Sequence, residues 1–204
     1  MGTKIILGSA SPRRRELLSQ IGIGFTVRVS DKEEVYHSEV PEEIVKELAL
    51  MKAENVATEI FEEQQAQLVR EEAGFVVIGA DTVVVLDQKI LGKPADGEDA
   101  FRMLKSLQGR AHEVYTGVAV LCCKEGKMQT VRSHAVKTEV YVHEMTEDEI
   151  RGYIATGEPS DKAGGYGIQG AFAKYIDRID GDYYNVVGLP VSFVYQTLKE
   201  IGAL

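Results

Sequence analysis

An aspartate interrupts the most apolar stretch of the sequence, and this residue is the first candidate for chemistry. Asp81 and Thr82 lie between residues 76–78 and 83–86, which are apolar, β-branched for the most part and do not alternate with polar residues. That pattern is typical of a strand covered on both faces. A carboxylate buried there without a partner costs about 1 to 3 kcal/mol, so Asp81 requires one. A metal ion, a lysine or a water chain could serve; the alternative is a purely structural cap or ion pair.

A second candidate is the basic turn near the start of the chain. After a short apolar strand over residues 4–8, Ser11 and Pro12 predict the N-cap and first residue of a helix. Its first turn carries three cations, Arg13, Arg14 and Arg15. The positive end of the helix dipole disfavours each exposed cation there by roughly 0.3 to 1 kcal/mol. Backbone amides, the hydroxyls of Ser9 and Ser11 and the guanidinium groups can together cradle an anion such as phosphate. We favour this interpretation over a solvated turn, or pairing with an acidic loop, because the dipole penalty needs compensation.

Two lysines also stand where an anion could reach them. Lys93 lies on the stiff corner Gly92-Lys-Pro94, which follows a predicted turn after the central strand, so Lys93 and Asp81 could face one cleft. Lys52 falls on the apolar stripe of a helix that begins at Pro41. A lysine in that position either extends to the surface or reaches an anion at the edge of the core.

An acidic loop, residues 30–34, follows a predicted strand over residues 25–29. Carboxylates at a strand end can ligate Mg²⁺, which takes one or two protein oxygens together with substrate phosphates and water. Glu33 is the residue of this loop that we single out, although a solvated charged loop is the commoner outcome for such a run.

The third unusual segment is rich in glycine and covers residues 158–170. Its glycines accompany Asp161, Lys162 and Gln169, which suggests backbone that approaches a ligand closely with polar groups nearby. The alternative is a flexible surface loop. Residues 179–190 then predict a turn and an aromatic strand.

The rest of the sequence predicts the helices and strands that must position these residues. Asp96 and Asp99 cap a helix that Gly109 ends, and Thr146 begins another helix with a capping box. Two long strands, residues 112–123 and 130–143, form a hairpin, and a last helix begins at Pro190. Residues 62–74 predict an exposed polar extension of the preceding helix.

Composition limits the class of protein. The 204 residues are 44% hydrophobic, enough for one domain with a core, and the net charge of −9 argues against a non-specific nucleic-acid binder. No run approaches the roughly 18 to 20 apolar residues of a membrane span and the start is too short for a signal peptide, so we expect a cytoplasmic protein without membrane partners. The adjacent Cys122 and Cys123 make neither a CxxC motif nor a plausible disulfide. The four histidines lack i, i+4 metal spacing, and we expect packing or surface roles.

Together these segments resemble the Maf family of nucleoside triphosphate pyrophosphatases. The matching motifs span nearly the whole chain in order. They are Ser9-Ala-Ser-Pro-Arg-Arg14, Gly79-Ala-Asp-Thr-Val-Val84, Leu91-Gly-Lys-Pro94, His112-Glu-Val-Tyr-Thr-Gly117, Glu158-Pro-Ser-Asp-Lys-Ala-Gly164, Tyr166-Gly-Ile-Gln-Gly170 and Gly181-Asp-Tyr-Tyr-Asn-Val-Val-Gly-Leu-Pro190.

The resemblance implies an α/β fold related to the inosine triphosphate pyrophosphatases. It implies an elongated mixed sheet flanked by helices, one domain over residues 1–204 with two lobes around a cleft, and frequent homodimers. It also implies hydrolysis of a nucleoside triphosphate to the monophosphate and pyrophosphate with a divalent metal, Mg²⁺ or Mn²⁺, in a nucleotide-pool house-cleaning role.

The resemblance also assigns roles to individual residues. Asp81 matches the catalytic proton acceptor, which also helps to hold the metal. Positions linked to substrate choice in the branch that prefers dTTP and UTP are matched by Arg13, Thr82 and Gln169. Lysines expected around the phosphates are matched by Lys52, Lys93 and Lys162. Glu33 matches the metal-holding acidic loop, in which Asp31 and Glu34 are alternatives.

Two rival functions are also considered. The site could hydrolyse modified or purine triphosphates, although Arg13, Thr82 and Gln169 match the pyrimidine branch. The second rival is implied by the family resemblance, because the family is associated with septum inhibition: a nucleotide-binding regulator of cell division and septum formation that needs no turnover. It predicts tight nucleotide binding with little hydrolysis.

Overall fold

The computed structural model describes residues 3–66 and 74–204, which form a mixed sheet flanked by helices. The strands are β1 (Lys4–Leu7), β2 (Thr26–Val27), β3 (Phe75–Leu86), β4 (Lys89–Leu91), β5 (Ala111–Lys124), β6 (Lys127–Val142) and β7 (Ile176–Asp180). The helices are α1 (Pro12–Gln20), α2 (Pro41–Ala66), α3 (Gly97–Leu107), α4 (Glu147–Ile154), α5 (Tyr183–Val187) and α6 (Val191–Glu200). Short 3₁₀ turns occupy Glu158–Asp161, Ala163–Gly165 and Ala171–Tyr175.

The sheet combines parallel and antiparallel pairs. Its strand order is β2-β1-β3-β5-β6-β7, and β4 pairs with β3 as well. Strand β1 is parallel to both β2 and β3, whereas β4 runs antiparallel to β3 and β7 antiparallel to β6. The predicted mixed α/β architecture is therefore confirmed, and residues 75–86 form one continuous strand through Asp81.

The chain divides into two compact units. The first consists of Met1–Asp81, Thr116–Ala135 and Gly188–Leu204, and the second of Thr82–Tyr115 and Val136–Val187. Strands β3, β5 and β6 each contribute residues to both units. In the first unit α2 packs its alanines and Val56 against residues of β3 and β5, and in the second α3 and α4 share a core with Phe172 and Tyr166.

Most predicted element ends agree with the structure. Helix α1 begins at Pro12, and Asp96 caps α3 by accepting a hydrogen bond from the Asp99 amide (2.8 Å). Thr146 and Glu149 form the predicted capping box of α4. The predicted extension beyond α2 falls partly on residues 67–73, which lie outside the described residues.

One prediction about strands was wrong, and a second was confirmed only over a shorter range. The predicted aromatic strand is helix α5, because Asp182 Oδ1 accepts from the Tyr184 amide (2.8 Å). In addition, the buried Asn185 donates to the Val114 carbonyl and the Thr138 hydroxyl. These hydrogen bonds outweigh the β-propensity of the aromatic residues. The predicted strand over residues 25–29 is reduced to β2, an exposed edge of two residues.

Candidate active site

Asp81 lies in the middle of β3 and forms an ion pair with Lys52 of α2. The two side chains are 16% and 20% exposed, so the pair sits at the edge of the core. The Lys52 ammonium also lies 3.1 Å from a carboxylate oxygen of Glu34, in the acidic loop. The structure therefore identifies a lysine as the partner that the sequence required for Asp81, whose side chain is only partly buried. It also shows that Lys52 reaches an anion instead of extending to the surface.

Two glycines bring α2 close enough for this ion pair. A Cβ atom on Gly79 would lie 2.1 Å from the Ala49 carbonyl oxygen, and one on Gly117 would lie 2.1 Å from the Val45 carbonyl oxygen. Neither distance is possible for a real side chain, so α2 can rest directly on β3 and β5 only where both strands carry glycine. Lys52 is one turn beyond Ala49 on this helix, and close packing of the helix delivers its ammonium group to Asp81.

Arg14 is a buried cation beside the same aspartate. Its Nη1 donates to the Ser9 hydroxyl (2.9 Å) and its Nε donates to the Gly188 carbonyl (2.8 Å). Burial lowers the pKa of the Arg14 guanidinium, and the negative charge of Asp81 opposes that effect. An arginine nevertheless stays charged in proteins. The Asp81 carboxylate therefore pairs with the Lys52 ammonium and also interacts electrostatically with the Arg14 guanidinium.

The start of α1 carries the predicted anion-binding groups. Ser11 is the N-cap and Pro12 the first helical residue, but the Ser11 hydroxyl accepts no capping bond from the amides described in this helix. The Ser11 amide instead donates to the Ser9 hydroxyl (3.3 Å), which thus accepts from both Ser11 and Arg14. Arg13 is half-buried. A helix start with no acidic residue in its first turn and with cations at its edge favours binding of an anion.

The acidic loop carries the carboxylates that the sequence singles out as candidate metal ligands. Glu33 is exposed, whereas Glu34 shares the Lys52 ammonium with Asp81. Among residues 3–66 and 74–204, no three His, Cys, Asp or Glu side chains are grouped as metal ligands. A hard cation such as Mg²⁺ takes one or two carboxylate oxygens and completes its shell with phosphate oxygens and water, so Glu33, Glu34 and Asp81 have the chemistry to hold one.

A further group of predicted residues lies in the second unit. The Lys162 ammonium donates to the Glu158 carbonyl and to Asp161 Oδ1, both at 2.7 Å. The Gly164 amide donates to the Gly92 carbonyl (3.0 Å), so the corner that carries Lys93 is tied to the segment that carries Lys162. Lys93 and Gln169 are both exposed.

The predicted residues thus fall into two groups. Ser9, Arg14, Lys52 and Asp81 come together in the first unit, through direct contacts or, for Arg14 and Asp81, through charge. In the second unit, the hydrogen bond from the Gly164 amide to the Gly92 carbonyl joins the segment that carries Lys162 to the segment that carries Lys93. Thr82 follows Asp81 in β3, so the two side chains point to opposite faces of the strand.

Sequence reasoning missed two contacts of this site. It left Glu34 as one of several loop carboxylates, and no local signal marks Gly188, which lies 174 residues from Arg14. The prediction of a packing role holds for His112, which is buried and shares a hydrogen bond of 2.7 Å with the Tyr166 hydroxyl.

No helix within the described residues is long and apolar enough to cross a membrane.

Comparison with known proteins gives consistent matches over the whole chain. A family model described as "Maf-like protein" matches residues 4–201. The "dTTP/UTP pyrophosphatase" of Agathobacter rectalis is 50% identical over 202 residues, 98% of each chain. Proteins with the same name match from Lachnoclostridium phytofermentans, at 44% identity over 98% of this chain and 95% of the relative, and from Dictyoglomus turgidum, at 46% identity over 99% and 98%.

Proposed function

The chain belongs to the Maf family, and we propose that it is a nucleoside triphosphate pyrophosphatase that hydrolyses dTTP and UTP to the monophosphate and pyrophosphate. The names of relatives that are 44% to 50% identical over nearly the whole chain support this activity. The observation that carries the proposal is the ion pair of Asp81 with Lys52, beside the buried Arg14. This pair supports the proposal because a triphosphate requires cations around the catalytic base.

Asp81 is the candidate general base. Hydrolysis adds water across the bond between the α- and β-phosphates, and the attacking water must be aligned and lose a proton. Asp81 is held by the Lys52 ammonium within a rigid strand, so its carboxylate is positioned before substrate arrives. No covalent nucleophile is needed, and the proton of the attacking water passes to the carboxylate.

The cations neutralise the negative charge of the triphosphate. Lys52 lies beside Asp81, and Arg14 fixes the Ser9 hydroxyl at the start of α1. Lys93 and Lys162 are the proposed phosphate ligands of the second unit, and Ser11 is proposed to bind the triphosphate with Ser9. Preorganised donors of this kind stabilise the charge that develops on the leaving pyrophosphate.

A divalent cation is the proposed cofactor, and Mg²⁺ or Mn²⁺ would supply further charge neutralisation at the phosphates. Asp81 would hold it together with a carboxylate of the acidic loop. The family resemblance favours Glu33 for this second ligand, whereas the contact with Lys52 favours Glu34.

Substrate choice is proposed to rest on Arg13, Thr82 and Gln169, which match the pyrimidine-preferring branch of the family. Arg13 stands in the first turn of α1, and Gln169 is exposed within the glycine-rich segment. We further propose one domain with two lobes that acts in the cytoplasm as a homodimer, on the ground of the family resemblance. Light scattering of the purified chain tests the dimer, and the net charge of −9 makes a nucleic-acid partner unfavourable.

The decisive experiment measures pyrophosphate release from a panel of natural and modified nucleoside triphosphates, with Mg²⁺, with Mn²⁺ and with EDTA. Metal-dependent formation of monophosphate from dTTP and UTP, in preference to purine nucleotides, is the expected result. Preference for a modified or purine nucleotide would contradict the pyrimidine assignment alone. Tight nucleotide binding without turnover across the panel would refute the pyrophosphatase and favour a nucleotide-binding regulator of cell division.

A further inference from the structure

Glu158 contacts both parts of the glycine-rich segment that are proposed to touch the substrate. Its backbone carbonyl accepts a hydrogen bond from the Lys162 ammonium (2.7 Å). Its side-chain Oε2 accepts from the Ala171 amide (2.9 Å), and its Oε1 accepts from the Tyr153 hydroxyl (2.9 Å). One residue thus joins the proposed phosphate-binding lysine to the backbone that follows Gln169.

Tyr153 completes this arrangement from α4. Its hydroxyl gives its single hydrogen to Glu158 and accepts from the Gly167 amide (3.2 Å). The ring is 4% exposed and packs on Phe172, with centroids 5.1 Å apart, so the hydroxyl has little freedom to move. The stretch from Gly167 to Ala171 is therefore held at both ends by the Tyr153–Glu158 pair.

Close packing shows that the Glu158 carboxylate lies directly against this stretch. A Cβ atom on Gly170 would lie 2.0 Å from Glu158 Oε1, and one on Gly167 would lie 2.7 Å from Cε of Lys162. Glycine at these two positions lets the carboxylate and the lysine stem touch the backbone. Gln169 stands between the two glycines and is exposed, so fixed backbone presents an accessible amide side chain.

We propose that Glu158, with Tyr153, is a positioning residue that sets the nucleotide selectivity of the enzyme by fixing the backbone around Gln169 relative to Lys162. Glu158 acts through the Gln169 segment and does not touch the substrate. The inference rests on the proposed function, because the roles of Lys162 and Gln169 do. It predicts that loss of the carboxylate changes discrimination between nucleotides more than it changes hydrolysis itself.

The variant Glu158→Gln tests this chemistry with little change of shape. Both carboxylate oxygens accept hydrogen bonds, from Tyr153 and from the Ala171 amide. A glutamine amide offers one acceptor oxygen, so its NH₂ group must face either the Ala171 amide, which then loses its acceptor, or the Tyr153 hydroxyl, whose own hydrogen then loses its acceptor. Tyr153→Phe removes the other half of the pair and keeps the packed ring. Glu98→Gln is the matched control, because Glu98 is exposed in the same unit and pairs with Arg151 (3.0 Å).

The experiment compares kcat/KM for dTTP and for a purine triphosphate in the wild type and the three variants, beside Tm. We expect Glu158→Gln and Tyr153→Phe to lower the dTTP preference by roughly three- to ten-fold, the effect of one lost hydrogen bond. The control should keep the wild-type ratio. An unchanged ratio in both variants, with wild-type turnover intact, would overturn the inference, as would an equal fall in kcat/KM for every nucleotide.

A second measurement does not depend on turnover. Amide hydrogen exchange at Gly167 and Ala171 should accelerate in Glu158→Gln at a temperature where the chain stays folded, and it should not accelerate in Glu98→Gln. Binding of a non-hydrolysable dTTP analogue, compared with a purine analogue, should weaken selectively. If the wild type hydrolyses no nucleotide, the proposed function fails, and these two readouts decide whether Glu158 positions the segment.

Discussion

Replacing Asp81 with asparagine separates catalysis from stability at this site. Asparagine keeps an oxygen that can accept from the Lys52 ammonium, and Glu34 still lies 3.1 Å from that ammonium. The ion pair is partly exposed, so we expect the free energy of unfolding to fall by only about 1 kcal/mol, the value of one ordinary hydrogen bond. For a chain of this size that loss lowers Tm by about 2 to 4 °C.

The effect on turnover should be far larger. A positioned general base contributes about 10²- to 10⁴-fold, which corresponds to about 2.7 to 5.4 kcal/mol of activation free energy. We therefore expect kcat for dTTP to fall by at least about a hundred-fold in Asp81→Asn while the protein stays folded at 25 °C. Pyrophosphate release and thermal unfolding, measured on the same preparation, give both quantities.

Asp87→Asn provides a matched control at the end of the same strand. Asp87 is exposed, adopts φ of 50°, which asparagine tolerates, and pairs with Arg110 (2.7 Å). This variant should keep wild-type kcat and a Tm within about 2 °C, because exposed ion pairs contribute little. A kcat within ten-fold of wild type in Asp81→Asn would remove Asp81 from the base role, and so would an equal loss in Asp87→Asn.

Three further predictions concern the metal, the helix contact and a buried histidine. Glu33→Gln should raise the Mg²⁺ concentration for half-maximal activity by at least about ten-fold; a larger rise in Glu34→Gln would make that residue the ligand. Gly79→Ala should destabilise the protein by about 1 to 3 kcal/mol in urea unfolding, because its Cβ would lie 2.1 Å from a carbonyl oxygen of α2, whereas Gly24→Ala, with open space around it, should not. Burial lowers the pKa of His112 to about 4, so the unfolded chain binds more protons between about pH 6.5 and 4. The contribution of His112 to the free energy of unfolding is therefore fully present above about pH 6.5, and it falls by up to about 1.4 kcal/mol per pH unit on acidification toward pH 4. His112→Asn should flatten this slope in urea unfolding measured as a function of pH, and an unchanged slope would contradict the assignment.

Sequence patterns revealed those parts of the site whose residues are close in sequence or carry a periodic signal. The apolar run around Asp81 predicted a buried strand, and the position of Lys52 on an apolar stripe restricted that lysine to two outcomes. A pattern of this kind states that a partner is needed, but it does not state which one. The Lys52–Asp81 pair depends on how closely α2 approaches β3, and this distance follows from Gly79, a residue whose role is visible only once the helix is in place.

Contacts between distant segments account for what the patterns could not supply. The Gly188 carbonyl reaches Arg14 across 174 residues of chain, and no periodicity reports such a pair. Helix α5 was mistaken for a strand for the same reason. Its tyrosines have high β-propensity, but the Nδ2 group of the buried Asn185 donates to Val114 and Thr138, both far away in sequence, and these bonds are made with the segment helical.

The bond between Arg14 and Gly188 has a consequence for the biosynthesis of the chain. A ribosome adds about 5 to 20 residues per second. The Gly188 carbonyl, 174 residues after Arg14, is therefore synthesised about 9 to 35 s later than the arginine that donates to it. The first unit includes residues 188–204 and cannot close around its buried guanidinium before they emerge. Nascent chains that stall earlier would keep this cation in contact with solvent or chaperones. Truncated expression products that end before Gly188 should therefore be recovered as aggregates or degraded, whereas a tag placed after Leu204 leaves the contact intact.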